Sequence, residues 1–401
     1  MNILFISYWS INDGLTQSTV LPHIKILSQF NIINKIILVT IENSIESQPI
    51  NLSGNSYHIP ITTTWRQFPF LQKFIDFIRI PGIIKHYCIK FQIDKIIARG
   101  ALAGALAYLS FRKTQIPYYV ESFEPHADYM RETGVWYKWN LKYVFQKIWE
   151  KKICQTANGI MTVTEGYTNY LKKKHPEKSN ILTVPCAVNI TFFKYNHKDR
   201  LYIRNELGFD EIEMIGIYTG KFSGLYINIK ELNILTDIFD YFSNPGLIFL
   251  TPTPENDIRH TLQSLNFPQN RIIIKNVSHK EVPQYLSAAD FALSLNKSFA
   301  SGRYLSPVKI GEYWANGLPV LMTEGIGDES EFLEEEKGGV FFNPGNISAA
   351  LPKLENLIKD PEHRTRIPGL ATKYRSFNTV KEAYKKLILP QIIDQSENSK
   401  G

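Results

Sequence analysis

Short runs of apolar residues alternate along this chain with longer segments of helical periodicity. The runs are rich in Ile, Val, Leu and Phe, which is typical of parallel strands covered on both faces. They predict strands at residues 3–8, 36–40, 57–61, 95–98, 118–121, 159–164, 181–184, 214–218, 247–250, 272–274, 291–295 and 320–322. Two successive series of strand–helix units predict an α/β protein with two Rossmann-like, doubly wound parallel sheets.

Helical spacing between the strands gives the domain organisation. Helices are predicted at residues 18–30, 101–111, 138–157, 200–207, 258–265, 282–289 and 372–392, and another from residue 229. The segment Pro185-Cys-Ala-Val-Asn-Ile-Thr-Phe-Phe interrupts the alternation and is interpreted as a crossover between domains. We expect an N-terminal domain over 1–187 and a C-terminal domain over 188–375. The helix after residue 375 is expected to cross back, so that 376–401 belongs to the first domain.

Composition and charge indicate the kind of partner and the cellular compartment of the protein. The 401 residues carry 45 Lys+Arg against 38 Asp+Glu, a net charge of +7, which favours an anionic partner. Three widely spaced cysteines predict neither a disulfide framework nor a metal cluster, and they are typical of the reducing cytoplasm. No apolar stretch is long enough to predict a signal peptide or a membrane span.

Residues 65–95 combine aromatic and basic side chains at helical spacing. Trp65, Phe74 and Phe77 alternate with cations such as Arg66 and Lys85. Such a helix can lie on an anionic membrane surface, or it can pack its aromatic side on the sheet. Both interpretations stay open at this point, with peripheral contact at the inner face of the plasma membrane as the functional one.

Several familiar sites are excluded by spacing. The stretch Gly216-Ile-Tyr-Thr-Gly-Lys-Phe is one residue short of a P-loop, and Phe222 stands where Ser or Thr would bind magnesium. No Gly-x-Gly-x-x-Gly follows a strand, and no Asp-x-Asp is present to hold a metal-bound diphosphate. Without a metal, neutralisation of a diphosphate falls to Lys, Arg and helix N-termini, so no metal or cofactor is expected.

Groups suited to a nucleoside diphosphate occur in the second half. Thr219-Gly220-Lys221 follows a strand, where Gly220 permits close backbone approach and Lys221 supplies a cation. A helix is predicted to begin with Ser306 as its N-cap and Pro307 at its first position. Lys309 and Glu312 then share one helical face, where Lys309 can contact phosphate and Glu312 a ribose diol. Lys221 exposed to solvent and Glu312 paired with Lys309 are the structural alternatives.

Polar residues at strand ends of the first half are candidates for substrate contact, because α/β proteins place their chemistry there. Gly14 lies in the loop after the first strand, and Arg99 closes a later one. Glu124 and His126 follow the strand at 118–121. A loop histidine next to a proline can equally be merely exposed.

The order of these motifs resembles family-4-type glycosyltransferases of the GT-B fold. The segment Ser306-Pro-Val-Lys-Ile-Gly-Glu-Tyr-Trp-Ala-Asn-Gly-Leu-Pro-Val320 is similar to the signature of their nucleotide-sugar domain. Val282-Pro-Gln-Tyr-Leu-Ser-Ala-Ala-Asp290 precedes it, and Gly325-Ile-Gly-Asp-Glu-Ser-Glu331 follows it. The crossover at Pro185 is similar to the family's Pro-x-Gly-Val-Asp segment.

The resemblance implies a role for each matching position. Glu312 would hold the ribose, Lys221 and Lys309 the diphosphate, and Gly14 the pyrophosphate. The region of Val277 and Ser278 would hold the base. The family's N-terminal histidine has no clear counterpart in this chain, and His126 is the nearest candidate for it. The chain departs from the pattern at Tyr304, where many members carry a second glutamate eight positions before Glu312. This departure leaves the donor sugar open.

The resemblance therefore predicts transfer of a sugar from a nucleoside-diphosphate sugar to an acceptor hydroxyl. Retention of configuration and assembly of bacterial capsule, O-antigen or exopolysaccharide are expected. Lys221, Glu312 and His126 are the predicted catalytic residues, and Arg99, Glu124 and His126 the predicted acceptor contacts. A nucleotide-sugar 2-epimerase of the same fold and a catalytically inactive sugar-nucleotide-binding protein remain the alternatives.

Overall fold

A computed structural model describes residues 1–43, 48–52, 54–63, 69–137, 139–211, 213–222, 232–263, 265, 268–343, 345 and 347–389. Within these residues the chain divides into two compact units. The first comprises 1–124, 145–184 and 377–401, and the second comprises 125–144 and 185–376.

The first unit is built on a seven-stranded sheet in the order β3-β2-β1-β4-β5-β6-β7, with every strand pair parallel. Its strands are β1 Asn2–Ser7, β2 Lys35–Glu42, β3 Ser56–Thr62, β4 Lys95–Arg99, β5 Tyr118–Phe123, β6 Gly159–Thr162 and β7 Ile181–Thr183. The apolar run Ile3 to Ile6 of β1 is fully buried because both of its faces are covered.

Helices cover both faces of this sheet. They are α1 Leu21–Ser28, α2 Pro69–Lys90, α3 Gly100–Thr114, α5 Leu141–Thr156 and α6 Glu165–Lys174. Helix α4, His126–Glu132, and residues 141–144 of α5 group with the second unit. The connection through α1 leads from β1 toward the β3 edge of the sheet. The connections through α2, α3 and α5 lead toward the β7 edge. Right-handed crossovers therefore place α1 on one face and α2, α3 and α5 on the opposite face.

The second unit has a six-stranded parallel sheet in the order β10-β9-β8-β11-β12-β13. Its strands are β8 Ile215–Thr219, β9 Gly246–Leu250, β10 Ile272–Lys275, β11 Phe291–Ser294, β12 Val320–Thr323 and β13 Gly339–Phe342. The predicted pair of doubly wound parallel sheets is therefore confirmed. Strand β13 was not predicted from the sequence.

Helices surround the second sheet, and one further helix returns to the first unit. They are α7 His197–Leu207, α8 Ile234–Tyr241, α9 Glu255–Leu262, α10 Val282–Ala288, α11 Val308–Ala315, α12 Ile347–Lys359, α13 His363–Arg366, α14 Pro368–Tyr374 and α15 Phe377–Leu387. The helix start predicted at residue 229 lies outside the described residues. Short 3-10 turns cover Gln269–Arg271, Ala300–Tyr304 and Asp328–Glu331, and a π turn over Thr16–Val20 precedes α1.

The single helix predicted over 372–392 is instead two helices, α14 and α15. The break falls at Arg375, which has a non-helical backbone and a carbonyl that accepts a hydrogen bond from the Val188 amide at 2.8 Å. The side chain of Arg375 is buried in an ion pair with Glu329. After this break α15 packs into the first unit, as the sequence predicted for the C-terminal helix.

Residues 125–144 group with the second unit, whereas the sequence assigned them to the first domain. The reason is a carboxylate on α4. Glu132 accepts hydrogen bonds at 2.7 Å from both the amide and the hydroxyl of Ser301, in the 3-10 turn Ala300–Tyr304. Within the described part of the chain, every helix is too short or too polar to span a membrane.

Candidate functional site

Helix α11 holds the two charged residues that the sequence singled out. Pro307 is its N-cap residue, and the helix begins at Val308 without a side-chain cap. The prediction that Ser306 caps this helix, with Pro307 in its first position, is therefore wrong. The hydroxyl of Ser306 instead accepts hydrogen bonds from the Cys186 amide, at 3.2 Å, and from the guanidinium of Arg375. A buried guanidinium must have hydrogen-bond acceptors, so the Ser306 hydroxyl binds Arg375 and does not cap the helix.

Lys309 and Glu312 lie one turn apart on α11, where Lys309 is buried and Glu312 is partly buried. The amino group of Lys309 lies 4.3 Å from the centroid of the Tyr218 ring. Burial lowers the pKa of Lys309 to about 7, and the nearby Glu312 carboxylate opposes that change. Burial also raises the pKa of Glu312 to about 7, opposed by Lys309. Burial thus makes the charged form of each group costly, and each group partly offsets that cost for the other.

Tyr313, next to Glu312, connects α11 to the loop that follows β8. Its hydroxyl oxygen accepts a hydrogen bond from the Thr219 amide at 2.9 Å and lies 3.0 Å from the Thr219 hydroxyl. The Tyr313 hydroxyl also lies within 3.3 Å of the Leu293 carbonyl, to which it donates. Burial raises the pKa of this phenol, so it stays neutral. Tyr313 was not among the predicted site residues.

The same loop is shaped by Gly220. Its φ of 137° is a conformation that residues with a side chain rarely adopt, and its amide donates to the Leu250 carbonyl at 3.0 Å. Lys221 follows with an exposed side chain, and its carbonyl accepts from the Tyr218 hydroxyl at 2.9 Å. The backbone at Lys221 is therefore fixed while its side chain is available to a ligand.

The region predicted to hold the base lies between β10 and α10. Ser278 donates from its amide and its hydroxyl to the Glu281 carboxylate, at 2.9 and 2.6 Å. Val277 packs against the hydrophobic core of the second unit. The next residue, His279, stacks on Phe192 with 5.4 Å between ring centroids and 13° between ring planes. This aromatic pair was missed because its members are 87 positions apart in the chain (279 minus 192).

Among the predicted substrate contacts of the first unit, Arg99 instead forms an ion pair in the core. It is buried, and its guanidinium donates to the Glu121 carboxylate at 2.7 Å. The Nδ1 atom of His23 lies 3.1 Å from the same carboxylate and 2.7 Å from the hydroxyl of Tyr384, on α15. Burial would raise the pKa of Glu121, but His23 and Arg99 lower it to about 2. We therefore interpret Arg99 as a support for the strand ends.

Gly14 and Glu124 are more accessible. Gly14 lies on the surface at the start of the first helical segment, and its carbonyl accepts a hydrogen bond from the Ser18 hydroxyl at 2.8 Å. Glu124 is partly buried and is the last residue of the first unit before the chain enters α4. Both remain predicted ligand contacts.

His126 begins α4 and therefore belongs to the second unit. Its Nδ1 atom is hydrogen-bonded to the hydroxyl of Tyr129, and the edge of its ring faces Trp136 at 5.6 Å between centroids. The ring is thus held in one orientation by aromatic neighbours and is not a freely exposed loop histidine.

The second unit brings together Lys309, Glu312, Thr219 and Gly220 through the two tyrosines Tyr218 and Tyr313. In the part of the chain that the structure describes, no group of three or more His, Cys, Asp or Glu is arranged to hold a metal ion. The arrangement provides an amino group, a carboxyl group and a glycine loop that are connected through the two tyrosines. This combination suits a phosphorylated ligand that also carries hydroxyl groups.

Comparison with known proteins agrees with this chemistry. The family model of glycosyl transferases group 1 matches residues 253–373. A search of curated proteins found no match. Among solved structures, sucrose-phosphate synthase from Thermosynechococcus elongatus is 15% identical, with a TM-score of 0.76 and coverage of 96% of this chain and 98% of that one.

Two further structures are similar over the same extent. HepE from Anabaena, solved in complex with UDP-glucose, is 12% identical with a TM-score of 0.69, covering 96% of this chain and 98% of that one. WaaG, a glycosyltransferase involved in lipopolysaccharide biosynthesis, is 13% identical with a TM-score of 0.66, covering 96% and 99%. The chain thus has the two-domain GT-B fold that it shares with these structures, and its residues 253–373 match the family model of glycosyl transferases group 1.

Proposed function

We propose that this protein transfers a sugar from a nucleoside-diphosphate sugar to a hydroxyl group of a glycan or lipid-linked glycan. The observation that carries the proposal is the Tyr313 hydroxyl, which ties the loop at Thr219 to the helix bearing Lys309 and Glu312. One helix thus carries both proposed contacts, Lys309 for the phosphate and Glu312 for the ribose, beside a glycine loop. The complex of the similar HepE with UDP-glucose supports a donor of this class.

In the proposed complex each group has one task. Glu312 accepts hydrogen bonds from the ribose diol, and Lys309 and Lys221 contact the diphosphate. Val277 and Ser278 line the place of the base beside the stacked rings of Phe192 and His279. Pro307 and Ser306 shape the start of α11, and Gly14 is a further proposed contact of the pyrophosphate.

Departure of the diphosphate produces negative charge that the site must stabilise. Negative charge grows on the leaving oxygen, and preorganised cations and backbone amides stabilise it. The bound diphosphate holds the Lys309 amino group in its charged form although burial lowers its pKa to about 7 in the free protein. Lys221 adds a second cation from an exposed position. We propose that this pair makes a metal ion unnecessary.

The acceptor step follows from the same geometry. We propose that a donor phosphate oxygen takes the proton of the acceptor hydroxyl on the face from which the diphosphate leaves, so that configuration is retained. His126 and Glu124 are the proposed acceptor contacts. The proposed setting is assembly of a bacterial surface polysaccharide in the cytoplasm, at the inner face of the plasma membrane. The similarity to WaaG supports this setting.

A thermal-shift panel of nucleotide sugars tests the proposal. A donor at about 100 times its dissociation constant should stabilise the protein by roughly 2.7 kcal/mol. Lys309→Met should abolish that shift, whereas Lys198→Met, an exposed lysine at the start of α7, should leave it unchanged. Absence of a shift with every donor, or an equal shift in Lys309→Met, contradicts the proposed donor site.

The two rival activities differ in what happens to the donor. A 2-epimerase would convert the bound nucleotide sugar without any acceptor. A protein that only binds nucleotide sugars would be stabilised by the donor and release no diphosphate with any acceptor. Product analysis after incubation with and without glycan acceptors therefore separates these outcomes from transfer.

A further inference from the structure

Strand β5 of the first unit ends in a β-bulge. From Val120 to Phe123 the strand advances three residues, while its neighbour β6 advances two, from Ile160 to Thr162. One residue of β5 is therefore extra, which breaks the pairing with β6 locally. Ser122, inside this bulge, has a φ of 51°, in the left-handed region that residues with a side chain rarely adopt. The strand thus stores backbone strain at Ser122.

The position of Ser122 sets it apart from the other strained residues. Among the described residues other than glycine, four more have a positive φ, and all four lie in exposed segments that lead into a strand. They are Gln92, Gln115, Asn244 and Lys337. Ser122 instead lies within a strand, at the carboxyl edge of a parallel sheet, where α/β proteins bind their ligands. Strain that is kept at such an edge points to a functional reason.

The two neighbours of Ser122 are anchored on opposite faces of the sheet. The carboxylate of Glu121 lies 3.1 Å from Nδ1 of His23 on α1. The ring of Phe123 stacks on Tyr167 of α6, with 6.1 Å between centroids. The connections through α1 and α6 lead toward opposite edges of the sheet, so these helices cover opposite faces. Side chains two positions apart in a regular strand share a face, so the bulge at Ser122 produces this change.

The Ser122 hydroxyl is available for a contact outside the chain. Ser122 is half-buried, whereas every other residue of β5 is buried. Hydroxyl groups at the ends of other strands donate to nearby carbonyls, that of Ser7 to Trp9 at 3.4 Å and that of Thr162 to Thr164 at 3.1 Å. Within the described part of the chain, the Ser122 hydroxyl has no hydrogen-bond partner.

We propose that the Ser122 hydroxyl forms a hydrogen bond with a hydroxyl group of the acceptor glycan, and that the left-handed backbone holds it in place for this contact. The inference rests on the proposed function, and it adds an acceptor contact two residues ahead of Glu124. A serine hydroxyl both donates and accepts hydrogen bonds, which suits a sugar hydroxyl. Glycine would adopt this backbone without strain, so the presence of serine is explained by a need for its hydroxyl.

Glycine and alanine at this position separate a ligand contact from a structural role. The probes are octyl glycosides of glucose, galactose, mannose and N-acetylglucosamine, used as soluble acceptors, and calorimetry measures their binding to the full chain. Ser122→Gly and Ser122→Ala should each weaken binding of the best glycoside about three- to tenfold, because one hydrogen bond is lost. Ser122→Gly should also raise the melting temperature by about 1–3 °C, because glycine relieves the strain.

Gln115→Gly is the matched control. Gln115 is exposed at the C-terminal end of α3 and has a φ of 58°, so glycine relieves the same strain there without removing a proposed contact. This variant should be stabilised in the same way and should bind the glycoside like the wild type. The thermal shift produced by the most stabilising nucleotide sugar should be unchanged in all three variants.

Glycoside binding at the wild-type level in both Ser122 variants overturns the inference, as does a wild-type protein that binds none of the glycosides. A lower melting temperature of Ser122→Gly also overturns it, because the side chain would then support the fold. The proposed function fails in a different way. Wild-type protein that binds a glycoside but transfers no sugar to it contradicts transfer alone, and the Ser122 variants still decide whether the hydroxyl contacts the acceptor.

Discussion

Replacing Glu312 by glutamine should stabilise the free protein while it weakens donor binding. Glu312 is partly buried, and burial raises its pKa from 4.5 to about 7. A raised carboxyl pKa means that ionisation costs more in the folded than in the unfolded state. The cost is complete above the folded pKa and disappears below the unfolded one. Glutamine keeps the shape and removes the ionisation.

The magnitude follows from the pKa. A change from 4.5 to about 7 corresponds to about 3 kcal/mol, at about 1.4 kcal/mol for each tenfold change in the dissociation constant. Partial exposure screens some of this cost, and the substitution also removes the carboxylate that favours a charged Lys309. We therefore expect Glu312→Gln to raise the free energy of unfolding by about 1–2 kcal/mol, or the melting temperature by about 2–6 °C.

Thermal melting at two pH values provides the assay. The gain should be largest at about pH 8, and it should shrink at about pH 5 as the unfolded carboxyl approaches its own pKa. Glu335→Gln, at an exposed position in the same unit, is the matched control and should show no gain. Calorimetry should show at least roughly tenfold weaker binding of the most stabilising nucleotide sugar by Glu312→Gln. A lower melting temperature at the higher pH, or an equal gain at both, would refute the reasoning.

Three further substitutions test particular contacts. Lys221→Ala should lower turnover by about 10²–10³ in steady-state assays if its cation faces the leaving group. Tyr313→Phe removes the acceptor of the Thr219 amide, so the unfolding free energy should fall by about 1–3 kcal/mol in urea, and kcat/KM should fall as well. Tyr384→Phe removes a hydroxyl hydrogen-bonded to the buried Glu121 carboxylate and should cost the first unit about 1–3 kcal/mol in urea denaturation.

Conservative changes at exposed positions are the controls. Lys280→Ala should keep the wild-type turnover, and Tyr202→Phe on α7 should keep the wild-type urea midpoint. A near wild-type rate in Lys221→Ala removes that residue from the mechanism. Wild-type kcat/KM in Tyr313→Phe would show that the loop after β8 does not need its connection to α11. An unchanged urea midpoint in Tyr384→Phe would show that this contact of α15 does not stabilise the first unit.

The strands could be predicted because a strand that is buried on both faces is apolar at nearly every position. Apolar runs marked β1, β2 and β4 to within about two residues of their observed ends. Strand β13 was missed because it is short and begins at Gly339, which weakens the strand pattern.

Contacts between residues far apart in the chain account for the site features that could not be predicted from the sequence. Ser306 looked like a helix cap, but its hydroxyl serves Arg375, a residue 69 positions away. Tyr313 resembled an ordinary core residue of a helix, since nothing local shows that its hydroxyl reaches Thr219.

The central claim is sugar transfer from a nucleotide donor, and acceptor-dependent release of nucleoside diphosphate tests it most directly. The purified chain is incubated with the nucleotide sugar that stabilises it most, with and without a lipid-linked glycan acceptor. The account predicts that diphosphate release requires acceptor, matches the amount of sugar transferred, and falls by about 10²–10³ in Lys221→Ala. Release that is independent of acceptor, or conversion of the donor sugar without any release, would contradict it.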